Sequence, residues 1–167
     1  MDLELKKADA EMIAPLHAIL VACGENMYEQ FQLSHWHPFL NLKTFRKMMS
    51  HQMLYGVYQN NIPVATFNVS TKPRDYYFPE LWGHPHDKAL YLGHLGIDPA
   101  LQAKGVGKWC MAQVENIARE HHCKAVRFDA LNIHPWLKTF YEKLGYTKRE
   151  IVTPGEWDLV CFEKIIS

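Results

Sequence analysis

The sequence has no excess of charge of either sign: 18 Lys plus Arg stand against 18 Asp plus Glu over 167 residues, a formal sum of zero with the histidines neutral. Nucleic-acid-binding domains normally carry a clear basic surplus, so no nucleic-acid partner is expected. A CxxC pair is also missing. The four cysteines, Cys23, Cys110, Cys123 and Cys161, are scattered, and the chain is longer than the small secreted domains that depend on disulfides, which predicts reduced, buried thiols. No run approaches the roughly 20 apolar residues of a membrane span. The opening MDLELKKADAEM puts acids and lysines where a signal peptide needs an apolar stretch. The expectation is a soluble cytoplasmic protein with no membrane partner.

What is present suffices for a core. Hydrophobic residues make up 48% and charged ones 22%, which excludes a disordered or low-complexity chain, and the length fits one domain over residues 1–167. Ten histidines are the compositional outlier. His35-x-His37, His84-x-His86 and His121-His122 have no Cys or carboxylate at the usual ligand spacings, and Pro85 marks the second pair as a turn, so no metal is predicted.

Along the chain the apolar period switches between strand and helix. Leu3 to Lys6 alternates as a short strand, and Asp9 stands at the N-cap of a helical run in which Met12, Ile13, Leu16, Ile19 and Leu20 form one face up to about Val21. Residues 23–40, with Tyr28, Phe31, His35, Trp36 and His37, read as irregular helix or loop, and Thr44 to Gln52 as a further helix. Leu54 to Tyr58 and Ile62 to Ser70 form a hairpin signal across Gln59, Asn60 and Asn61. Residues 71–88 contain three prolines and four aromatics without a period; loops of this kind in small domains are often functional. Ala89 to Ile97 reads as a strand ended by Asp98-Pro99, Lys104 to His121 as a helix, and Ala125 to Ala130 as a strand. Pro135 opens a helix that runs to Leu144 with Gly145 as its left-handed cap, and Tyr146 to Val152 and Trp157 to Phe162 are terminal strands. The order is that of a mixed α/β domain.

The stretch YLGHLGIDPALQAKGVGKW carries the chemistry. Gln102, Gly105 and Gly107 follow a strand and open a helix, a placement in which unpaired N-terminal amides bind phosphate. Glycines let the backbone approach the anion, and Lys104 and Lys108 add positive charge. Two better-known phosphate loops do not fit. A P-loop needs Ser or Thr after Gly-Lys, but Gly107-Lys108 precedes Trp109; a dinucleotide fingerprint needs a small residue where Cys110 stands.

The pattern [QR]xxGxG after a strand and Asp-Pro resembles the acetyl-coenzyme A loop of the GNAT superfamily of N-acetyltransferases. Asn132 after a strand and FYEKLGY, Phe140 to Tyr146, resemble that family's Asn and Tyr motifs in the expected order. The resemblance implies an α/β GNAT-like acyltransferase fold: a central, mostly antiparallel sheet flanked by helices, with its fourth and fifth strands parallel. It implies acetyl-coenzyme A as cosubstrate and an amine of a small molecule, peptide or protein as acceptor, and it allows a homodimer. By the same resemblance Gln102, Ala103, Lys104, Gly105, Val106, Gly107 and Lys108 cradle the pyrophosphate. Leu95, Gly96 and Ile97 bring backbone amides to the acetyl carbonyl, Asn132 contacts the pantetheine arm, and Tyr141 protonates the leaving thiolate.

An alkylamine is protonated at neutral pH, with a reference pKa of about 10.4 for lysine, so a base must first take its proton. His94 on the strand, Glu80, His84 and His86 in the aromatic loop, and His35 and His37 before it are the candidates; strict alternation points His94 away from the face used by Leu95, so that only a bulge would bring it to the site. Segments 23–40 and 71–88 form the acceptor cleft in the family, and Glu25, Glu29, Asp75 and Glu80 would suit a cationic amine. Two other readings stay open on the residues: a coenzyme A sensor without catalysis, and an α/β interaction protein in which Gly105 and Gly107 serve packing.

Overall fold

Asp9 starts the first helical segment as its spacing predicts. Its side chain accepts the Glu11 and Met12 amides in a capping box over the turn Ala10–Met12, in a computed structural model that describes Met1–Ser167. The strands are β1 (Glu4–Lys7), β2 (Met53–Gln59), β3 (Ile62–Ser70), β4 (Ala89–Ile97), β5 (Ala125–Leu131), β6 (Thr147–Val152) and β7 (Leu159–Ile165). The helices are α1 (Ile13–Phe31), α2 (Leu42–Met49), α3 (Val106–Glu120) and α4 (Leu137–Lys143). All seven strands form one sheet in the order β1-β2-β3-β4-β5-β7-β6. The β4/β5 pair is parallel, with Ala89, Leu90 and Tyr91 opposite Ala125, Val126 and Arg127. This is the mixed α/β architecture expected. No helix is long and apolar enough to cross a membrane.

The chain divides into two compact units, Met1–Ser70 with Gly93–Gln113, and Thr71–Leu92 with Val114–Ser167. In the first, β2 and β3 pair as the hairpin signal predicts, with Asn60 and Asn61 at φ 52° and 64°; asparagine tolerates this left-handed geometry. Leu16, Ile19, Leu20 and Cys23 of α1 pack with Phe45, Met49 and Leu54. Here α1 departs from expectation, running to Phe31 instead of ending near Val21. Cys23 and Met27 keep the helical spacing, and Gly24 leaves open the position where a Cβ would strike the Trp36 carbonyl. Gln32, left-handed at φ 57°, ends the helix by donating its amide to the Met27 and Tyr28 carbonyls.

The second unit is organised around a charge in its core. Arg127 lies opposite Glu163 across the β5/β7 ladder, and its Nε donates to Glu163 Oε2 at 2.9 Å with the two side chains 2% and 5% exposed. Its other two nitrogens also have partners: Nη1 reaches the Tyr91 hydroxyl at 3.1 Å and Nη2 the His84 carbonyl at 2.6 Å. Glu163 Oε1 accepts the Gly83 amide at 2.8 Å. Residues 71–88 are thereby tied down, helped by Arg149 Nε on the Leu81 carbonyl and by Asp129, which accepts the Tyr76 and Tyr77 hydroxyls at 2.8 and 2.6 Å. Helix α4 starts at Leu137, later than Pro135, because His134 Nδ1 takes the Trp136 amide and holds the preceding residues in a turn.

Removing one partner of a fully buried pair leaves the other charge uncompensated, which costs about 3 kcal/mol or more. Glu163→Gln should therefore lower the unfolding free energy by about 3 kcal/mol in a urea titration, with proteolytic nicking appearing first within residues 71–88. A loss below about 1 kcal/mol would mean that the pair does not anchor the loop.

Candidate active site

In the first unit, β4 runs into the turn Pro99–Leu101, whose Asp98 side chain accepts the Ala100 amide. Gln102 then folds back to donate to the Ile97 carbonyl at 3.4 Å. Two left-handed residues follow, Ala103 at φ 63° and Gly105 at φ 86°, and alternation of this kind turns successive backbone amides toward one side. The first bond of α3 there joins the Trp109 amide to the Gly105 carbonyl at 3.1 Å, so the amides of Val106, Gly107 and Lys108 lie ahead of the helical ladder. Lys104 and Lys108 are exposed, while Val106 and Gly107 are buried. An alanine in the left-handed region is a strained choice, and such strain gathers at ligand-holding turns.

Leu95, Gly96 and Ile97 lead into this loop. The glycines of the strand are accounted for by protein: a Cβ on Gly96 would come within 2.6 Å of Leu20 Cδ2, and one on Gly93 would collide with the Asn68 amide group. The Ile97 carbonyl also accepts the Cys23 thiol proton at 3.1 Å.

In the second unit, Asn132 follows β5 as expected. Its backbone amide donates to the Asp158 carbonyl, and its side-chain Oδ1 accepts from Lys138 at 3.2 Å. Tyr141 projects from α4 into an aromatic cluster, with Phe128 at 4.5 Å and Phe162 at 5.5 Å between ring centroids, and is only 6% exposed. The ring is thus a core residue as well as a candidate acid.

The acetyltransferase (GNAT) family model matches residues 16–146. The chain belongs to the GNAT family. Among solved structures, this GNAT chain is similar to the ribosomal-protein-S18-alanine N-acetyltransferase from Escherichia coli, at 14% identity and a TM-score of 0.73 over 99% of this chain and 95% of that one. It is similar to the PaiA N-acetyltransferase from Thermoplasma acidophilum in complex with coenzyme A, at 13% identity and a TM-score of 0.72 over 99% and 100%. A third is the NatC complex bound to Gag peptide and CoA, at 14% identity and a TM-score of 0.70 over 100% of both chains. At these identities the likeness is one of fold. No curated protein matches the GNAT chain.

The candidate bases of the GNAT chain separate on environment. Glu80, His84 and His86 are exposed. His37 stacks on Tyr28 with ring centroids 4.3 Å apart. Burial pushes His35 down to about 4. His94 is half-buried among Trp36, Phe39 and Phe45, with Asn68 bonded to both its backbone and its ring. Asn68, Arg127, Asp129 and Glu163 were not foreseen as site or anchoring residues. The usable signal was a polar or charged residue inside an otherwise apolar strand, as in FNVS, AVRFDAL and VCFEK, since a buried polar group requires a partner.

The two left-handed positions make opposite demands. Gly105→Ala should lower stability by about 1 kcal/mol, whereas Ala103→Gly should not lower it, because only glycine adopts positive φ without Cβ strain. Urea denaturation of the two variants checks this. Equal losses would show that the loop does not hold these dihedrals in solution.

Proposed function

We propose that this chain, as one domain over residues 1–167 working in the cytoplasm, transfers the acetyl group of acetyl-coenzyme A to a primary amine of a small molecule, peptide or protein. The observation that carries the reading is the turn from β4 into α3. Two left-handed residues, three helix N-terminal amides and two exposed lysines meet a dianionic pyrophosphate with fixed dipoles and charge. Membership of the GNAT family supports it, as do neighbours of the same fold whose structures include coenzyme A. A ribosomal-protein alanine acetyltransferase and a peptide complex among the neighbours keep peptide amines within the acceptor class.

Acetyl-coenzyme A, when bound, supplies an activated thioester. Gln102 to Lys108 hold its pyrophosphate, and Asn132, with Oδ1 already engaged by Lys138, offers its amide N–H2 to the pantetheine arm. Backbone amides of Leu95 to Ile97 stabilise the carbonyl oxygen as it gains charge. Tyr141 gives its hydroxyl proton to the departing sulfur.

Turnover is measurable as free thiol against polyamines, aminoglycosides, amino acids, arylamines and peptides. The protein's own thiols will not interfere: all four cysteines are buried, and burial pushes Cys23, Cys110 and Cys161 up to about 12. Tyr141→Phe should reduce kcat by about 100-fold, within the range for general acids, with acetyl-coenzyme A affinity nearly unchanged by calorimetry. Gly105→Glu should abolish that affinity. Tight binding without thiol release from any amine would make the chain a sensor, and absence of binding would make the loop a packing device.

A further inference from the structure

Asn68 on β3 makes three hydrogen bonds that together determine which nitrogen of His94 carries a proton. Its Oδ1 accepts the His94 backbone amide at 2.9 Å, and its Nδ2 donates to Gln52 Oε1 at 3.2 Å. A backbone N–H can only donate, so the atom facing it must be the oxygen of the amide. His94 Nδ1 lies 3.2 Å from that same oxygen. An oxygen acceptor satisfies Nδ1 only when Nδ1 bears hydrogen, and a carbonyl oxygen has two lone pairs, one for each N–H. Neutral His94 is thereby the Nδ1–H tautomer, with its basic lone pair on Nε2. The arrangement is built in, since Asn68 is 3% exposed and Gly93 leaves the space its amide fills.

We propose that Asn68 is the positioning residue for His94 and that His94 Nε2 is the base that removes a proton from the acceptor amine; this rests on the acetyltransferase reading above. His94 Nε2 takes one proton from the ammonium group and becomes imidazolium, which later releases it to solvent. The freed nitrogen lone pair forms the C–N bond to the acetyl carbon, the C–S bond breaks, and its electron pair leaves on sulfur. Tyr141 protonates that sulfur and recovers a proton from the new amide nitrogen, so the product is a neutral amide with the free thiol of coenzyme A. Asn68 favours this cycle twice: its oxygen directs Nε2 rather than Nδ1 away from β3, and it accepts from Nδ1–H in both the neutral and charged states of the ring.

Trp36, Phe39, Phe45 and Asn68 of this unit pack on the ring. The titratable side chains behind them include His35, which contacts Trp36, His17, which contacts Phe39 and Phe45 and whose Nε2 meets the Leu40 carbonyl at 2.6 Å, and Glu25 and His37, which line one cavity with Trp36 and Phe39. With burial pushing His35 down to about 4, it stays neutral through the range in which an ordinary histidine titrates, about 6.5.

The assignment is testable without an acceptor. Nitrogen-15 NMR of the full chain above the titration range should show protonated Nδ1 and unprotonated Nε2 for His94. Asn68→Asp keeps both acceptor contacts but sets a carboxylate beside Nδ1–H, which stabilises the imidazolium; the titration of His94 should move up by about one pH unit. In turnover, the acidic limb of kcat/KM should move up with it, because the base stays protonated to higher pH. Asn68→Ala should lower kcat about 10-fold and His94→Gln about 100-fold, each with acetyl-coenzyme A affinity within about twofold of the parent chain. An Nε2–H tautomer, an Asn68→Asp titration superimposable on the parent, or unchanged kcat in His94→Gln would each overturn the proposal. Should Asn68→Asp not fold, the parent tautomer and His94→Gln decide alone. Thiol release absent with every amine would end the acetyl-transfer reading and the base role with it, while the NMR tautomer would still report on Asn68.

Discussion

A buried backbone N–H must find an acceptor, and at His94 the acceptor is a side chain. The Asn68 carboxamide takes that amide at 2.9 Å where a regular ladder would offer a carbonyl. Two consequences follow. Gly93 cannot carry a Cβ, because the amide group occupies its place. The His94 ring is held against the same oxygen, which sets its tautomer. The strand continues through Gly96, pressed against Leu20 and Cys23 of α1, into the turn that presents the amides at the start of α3. A single asparagine thus links strand geometry and side-chain chemistry.

The other unit solves a different problem. Residues 71–88 are rich in rings and prolines and have no period of their own, so they need anchors. Arg127 and Glu163 supply them by turning their spare hydrogen-bonding atoms to the His84 carbonyl and the Gly83 amide. A guanidinium suits this work because its donors lie in one rigid plane and can serve a carboxylate, a phenol and a carbonyl at once. Trp82 lies under the same guanidinium, 5.1 Å from its central carbon. Asp129 acts likewise on Tyr76 and Tyr77, and burial followed by that carboxylate keeps both phenols protonated well above the usual tyrosine range.

Much of this was legible in the sequence. The hairpin at Asn60-Asn61, the strand Ala89–Ile97, the helix after it and the loop between them follow from periodicity and glycine placement, and the structure reproduces them. The helix through residues 23–31 was not, because its length depends on packing against Trp36 through Gly24, a contact without any local sequence signal. Tyr141 was legible as a motif residue but not as a ring seated between Phe128 and Phe162.

The order of elements, the GNAT-like loop and the tyrosine motif were set by residues near one another in the chain, whose conformational preferences act over a few residues. The pairing of Asn68 with His94 spans 26 residues and that of Arg127 with Glu163 spans 36. Those separations are closed only by strand register and by the demand that buried polar atoms be satisfied. Local periodicity therefore determined the order of elements and two short motifs carried the likeness to the GNAT family, while tertiary register decided which histidine nitrogen carries the proton and what holds the aromatic loop.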